Sequence, residues 1–139
     1  MDTTQALAGG RTNAVQVGAV ATTGLFAVML AISGALYVVG PAPIVAGIHR
    51  LGYPDYFRQL LGIAKIVGAA ALVLPGLRVL REWAYAGFTF NLIGAIASHV
   101  LSGDAVHAGP AVFALALLAV SYSLRSQMQR TARAPESSR

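Results

Sequence analysis

Four long apolar stretches, interrupted by short clusters of proline, glycine and charge, organise this chain. The first runs from about Val15 to Val39 and ends at Gly40-Pro41-Ala42-Pro43. Proline there removes an amide donor and steers the residue before it away from helical geometry. The second opens at Pro54, a residue suited to the first helical turn, with Asp55 placed to meet the positive end of the helix dipole. It closes after Leu74 at Pro75-Gly76. The third spans about Glu82 to Leu101 and stops at Ser102-Gly103-Asp104, and the fourth starts near Pro110 and continues past Tyr122.

Crossing a bilayer takes roughly 20 apolar residues, and the uncharged run between Arg11 and His49 exceeds that. It is also longer than the roughly 7–15-residue apolar core of a secretory signal peptide, so it reads as an uncleaved helix. The expected fold is all-α, an integral membrane four-helix bundle with four transmembrane helices. Its expected parts are a flexible N-terminal tail over 1–13, a single transmembrane domain over 14–124, and a basic disordered C-terminal tail over 125–139. Between the first two spans, GPAPIVAGIHRLGYPDYF is longer than a turn needs. Pro43 as a start, Ile44, Val45, Ile48 and Leu51 as apolar positions, and Gly52 as a stop fit a short interfacial helix. An ordinary re-entry loop is the alternative.

Composition agrees with a membrane protein: 56% of residues are hydrophobic and only 11% are charged. The net charge of +5 raises the question of nucleic acid. However, the arginines lie in short connections and the C-terminal segment, with no basic face interleaved with aromatics, so nucleic acid is not an expected partner. Membrane lipid and topology account for them better. With four spans, Arg11, Arg78, Arg81, Arg125, Arg130, Arg133 and Arg139 fall on one side, and Arg50 and Arg58 on the other. This asymmetry predicts a multi-pass membrane protein with both termini cytoplasmic. The absence of cysteine excludes disulfides and thiolate metal ligands.

Candidate chemistry is concentrated in a few polar residues inside the spans. Lys65 stands among leucine, isoleucine, valine, alanine and glycine, and no Asp or Glu lies deep in any span. It can snorkel outward, lose its proton, or face a wet cavity or an anionic ligand. Positions 58, 61, 62, 65, 68, 69 and 72 share a helical face that includes Gly62, Gly68 and Ala69, which turns Lys65 towards the bundle. Ala84, Gly87, Asn91, Gly94, Ala95 and Ser98 form a second small and polar face, with His99 beside it. Antiparallel helices put Lys65 at a depth between Asn91 and His99, and Phe26, Met29, Ser33 and Tyr37 form a stripe on the first helix. Interhelical hydrogen bonding for Asn91, a loop-bonded imidazole for His99 and ordinary packing with an interfacial tyrosine are the structural alternatives. No phosphate-binding glycine motif, HExxH, nucleophile elbow or intramembrane carboxylate pair occurs. The spacing of His49, His99 and His107 matches no metal motif, so no metal is expected.

Residues 51–104 resemble the DoxX-like membrane proteins. The matching pieces are LGYP before the second span, G-x-x-K in GIAK, the LPG turn, EWAYAGF at the start of the third span and SH near its end. The resemblance implies a four-helix inner-membrane protein from a family in which most members have no established activity. It links some relatives to thiosulfate:quinone oxidoreduction, others to oxidative-stress membrane complexes, and distant ones to receptor assembly. By position, Lys65, Asn91 and His99 match the family's polar intramembrane residues. A carboxylate often stands at the position of Asn91, so this chain lacks the lysine's natural counter-ion. The resulting expectation is a site of Lys65, Asn91, His99, Ser98 and Tyr37. It would hold a lipophilic small molecule such as a quinone, with no covalently bound cofactor, as an accessory to membrane redox metabolism. One alternative is a structural or assembly subunit, or a chaperone, docking through its small-residue faces to another membrane protein or to a second copy. Another is an enzyme using Lys65 with His99 as an acid–base pair.

Overall fold

The computed structural model describes residues 3–133, with side chains described over 13–130. The elements are α1 (Thr3–Val39), α2 (Ala42–Arg50), α3 (Asp55–Val73), α4 (Arg78–Leu101), a 3-10 turn (Ala105–Ala108) and α5 (Gly109–Arg133); no strand occurs among the described residues. Four segments, in α1, α3, α4 and the turn with α5, are long and apolar enough to cross a membrane. An even number of crossings brings α2 and the 3-10 turn together at one end of the bundle, the cap end. The chain's two ends share the other, the termini end.

Between α1 and α3 a nine-residue helix forms, so of the two readings the sequence left open the short helix holds and the ordinary re-entry loop does not. Pro41 stands at its N-cap in extended geometry, and Ile48 is buried beneath it. His49 and Arg50 occupy its last turn, where positive charge suits the dipole. Other boundaries differ from expectation. The backbone of α1 is already helical from Thr3, within the stretch read as an N-terminal tail. Likewise α5 runs on to Arg133, so residues 125–133 are helical rather than disordered. RSQMQRTAR contains neither glycine nor proline, so nothing in it stops a helix. The remainder of that segment, 134–139, lies outside the described residues.

Helix α1 is the axis of the bundle. It packs along α3 on one side and α5 on the other, and α4 leans mainly on α5 and less closely on α3. The α1–α3 contact is a meeting of glycines. A Cβ on Gly34 would stand 2.8 Å from the carbonyl oxygen of Gly62, and a Cβ on Gly62 equally close to that of Gly34. Only hydrogen fits at both, which is how small residues bring membrane helices into backbone contact. Towards the termini end the core closes around Phe26, Leu72, Tyr85, Phe88 and Leu118. There the Phe26 and Phe88 rings meet edge to face at 5.9 Å.

Two arginines finish helix ends. Arg58 is buried and donates from Nε and Nη2 to the Asp55 carboxylate at 2.7 and 3.0 Å. Its Nη1 reaches the carbonyls of Tyr37 and Val38, which the last turn of α1 leaves without amide partners. Gly40 turns the chain away at φ +71°, and any side chain there would collide with the Arg58 guanidinium. At the far end of α3, Arg81 repeats the device, donating to the carbonyls of Leu72 (3.0 Å) and Leu74 (2.6 Å).

Candidate functional site

Separation of α4 from α3 leaves a cavity of about 520 Å³ in the cap-end half of the bundle. All five residues singled out from the sequence line it: Tyr37 from α1, Lys65 from α3, and Asn91, Ser98 and His99 from α4. They share the space with Ser33, Tyr53, Phe57 and His107 and with an apolar lining that includes Leu30, Leu61 and Ala114.

Lys65 stands ten residues into α3, about 15 Å along the helix. Its Nζ donates to Ser33 Oγ at 3.1 Å and lies 3.7 Å from the centre of the Tyr37 ring. An aromatic face attracts an ammonium group through its quadrupole. Among the described residues no carboxylate lies within ion-pair distance of this amine. The side chain therefore turns into the cavity between α1 and α3 and ends with one hydrogen bond and one ring contact. Asn91, half-buried on the facing wall, forms no hydrogen bond among the described residues. The small and polar face of α4 is only partly packed: Ala84 rests against the core, but Gly87 and Gly94 are exposed and a Cβ at either would meet no atom within 4 Å. Tyr85, Phe88 and Leu92 are the residues that α4 buries.

At the cap end Asp104 gathers three basic side chains. His107 Nδ1 is 2.5 Å from its Oδ1, His99 Nδ1 is 3.5 Å from its Oδ2, and Arg50 Nη1 is 3.7 Å away. The His107 hydrogen bond holds the Asp104 carboxyl below the ordinary carboxylate range against the opposing effect of burial, with smaller electrostatic help from His107 and Arg50. His99 Nδ1 is buried yet out of line for a hydrogen bond, and its ring stacks over that of His107 at 6.4 Å. His49 is exposed on α2. Among the described residues no group of three His, Asp or Glu side chains converges as metal ligands would. Tyr53 closes another side of the cavity, hydrogen-bonded to Ser98 at 2.8 Å and stacked on Phe57 at 4.7 Å.

Tyr53, Asp104 and His107 are additions to the residues found from the sequence. They stand in the connections, where helical periodicity assigns no face. The nearest signal was the LGYP stretch that holds Tyr53 and the polar Ser102-Gly103-Asp104 stop. Chemically, the cavity offers one amine, one amide, two imidazoles and hydroxyls on an aromatic and aliphatic lining, the usual composition of a small-molecule site.

A family model described as the DoxX-like family matches residues 21–121. No curated protein matches the chain, and no solved structure does.

Proposed function

The chain belongs to the DoxX-like family, and from the cap-end cavity we propose that it holds a lipid-soluble small molecule of the quinone class, as an accessory to membrane redox metabolism. The observation that carries this reading is Lys65, an amine deep in an apolar helix that reaches a cavity without a carboxylate to balance it. Ionisable groups inside membrane spans are costly and mark binding or transfer sites. A quinone carbonyl is an acceptor for the Lys65 amine and the Asn91 amide. Its flat ring suits walls built from Tyr37, Tyr53 and Phe57. The chain's part is to bind and orient; electrons would pass through a partner enzyme. Both termini are assigned to the cytoplasm by the arginine distribution, and alkaline phosphatase fused after Arg139 should then be inactive. An active fusion would reverse the orientation.

Mass spectrometry of organic extracts from the protein purified in lipid discs tests the ligand. A quinone or other lipophilic acceptor is expected from wild type and not from Lys65→Met; identical, lipid-only extracts from both would end the proposal. A docking role is favoured by one observation, the open groove between α3 and α4 with small residues on both sides. Crosslinking in membranes would then capture a specific partner that Lys65→Met loses.

A further inference from the structure

The cap-end cavity shares three of its wall residues, Leu61, Lys65 and Asn91, with a second space of about 440 Å³ between α3 and α4. That groove is lined by the small residues Ala64 and Gly68 on α3 and Ala84 and Gly87 on α4. Helices in contact would fill such positions with each other's backbone. The two helices do meet where the Phe88 ring covers Gly68, but a Cβ on Gly87 would meet no atom within 4 Å, so at Gly87 the α4 wall opens space rather than closes it. Lys65 and Asn91 are the groove's only charged or amide side chains, and both stand at the junction with the cavity. Polarity is thus confined to one end of an otherwise apolar groove.

We infer that the groove is the tail subsite of the cavity: it takes the hydrocarbon chain of the molecule whose polar head lies at Lys65 and Asn91, and that molecule passes between site and bilayer through it. This rests on the reading of the cavity as a ligand site. The ligand is then an amphiphile with an acceptor-bearing head and a long apolar chain. Access from the cap end would drag the chain past Arg50, Asp104 and His107. Access between α3 and α4 keeps it in apolar surroundings throughout.

Trp83, the chain's single tryptophan, is exposed on the groove's wall and reports on its contents. The test titrates protein in lipid discs with two probes, the ubiquinone head without a tail and the same head carrying a decyl chain. Probe concentrations are expressed per lipid so that partitioning cancels. Binding is read by Trp83 quenching and independently by thermal stability. Wild type should bind the decyl probe about tenfold tighter than the tail-less one, a difference of the size that one well-filled subsite supplies. Gly87→Leu, which has room in the fold and removes a helix-weakening glycine, should bring the two affinities within about twofold by weakening the decyl probe alone. Ala64→Leu from the facing helix should do the same. Equal affinities in wild type, or a decyl advantage that survives both variants, would overturn the tail subsite while leaving the head site standing. A change in assembly mass without a change in affinity would overturn it by making the groove a helix–helix interface. Failure of both probes to bind wild type would remove the cavity reading and the subsite with it.

Discussion

Each half of the bundle leaves one buried side-chain nitrogen without a partner among the described residues, His99 Nδ1 at the cap end and Arg125 Nε at the termini end, but the polar clusters at their centres differ. At the termini end, Ser121 Oγ lies 2.8 Å from Thr23 Oγ1 and 2.9 Å from Tyr85 OH, all three residues being buried. Phe26 and Leu72 are fully enclosed in the core beside them. At the cap end, among the described residues, Lys65 has one hydrogen bond, Asn91 none, and His99 Nδ1 is buried without one, around a space of about 520 Å³. A closed network fixes a unique packing, whereas a half-satisfied one costs stability unless a further group completes it. The contrast sets a closed hydroxyl network at one end of the bundle against an open, incompletely bonded cavity at the other.

Truncation of equal side chains on either side of this divide gives the largest expected effect. Leu72 has no exposure, and Leu72→Ala should cost about 2–5 kcal/mol through a new internal void. Leu61 already borders empty space, so Leu61→Ala should cost less than about 1 kcal/mol. Reversible unfolding in detergent measures both, and equal losses would erase the difference between the halves. Next in size is Ser121→Ala, which removes the hub of the hydroxyl network and should cost about 1–2 kcal/mol. Ser98→Ala leaves Tyr53 close to the mouth of a cavity and should cost less.

Much of this arrangement is local and therefore legible before folding. Uncharged runs and their proline and glycine boundaries mark the spans, whereas the apolar spacing of 44, 45, 48 and 51 fits α2 but fits a re-entry loop as well. Helical spacing with antiparallel order is enough to bring Tyr37, Lys65, Asn91, Ser98 and His99 to one cavity. The hydroxyl network is not legible in this way, since Thr23, Tyr85 and Ser121 are ordinary helix residues separated by 62 and 36 positions. Arg81 registers in the sequence only as a topology charge and Arg58 as that and as a member of the inward face of α3, yet each satisfies the carbonyls of a helix end. The small face of α4 is visible as a pattern, but the pattern alone does not tell a packed face from an open one.

Lys65→Met should change stability by less than about 1 kcal/mol in ligand-free protein, because it removes a single part-buried hydrogen bond and the desolvation cost of the amine together. Its effect should appear on adding a quinone probe, which raises the melting temperature of wild type and not of the variant. A large loss of stability without ligand would move Lys65 from the open-cavity side of the comparison to the closed-network side.

The smallest expected effect is an acid response confined to the cap end. Asp104 titrates below its ordinary value of 3.8, chiefly because His107 donates to it. A carboxyl whose folded value is depressed contributes stability that is present above the unfolded value and lost as pH falls through the folded one. Wild type should therefore hold its cap-end stability from neutrality down to about pH 4 and lose a little below it. Hydrogen exchange should place that loss in α2 and the Ala105–Ala108 turn, which Asp104 ties together through Arg50 and His107. Around Ser121, where no titrating carboxylate contributes to the network, exchange should stay unchanged over the same range. Asp104→Asn should make the cap equally loose at both pH values. If the acid response survives that substitution, the Asp55–Arg58 pair at the same end carries it instead, and the cap opens from α1 and α3 rather than from the turn.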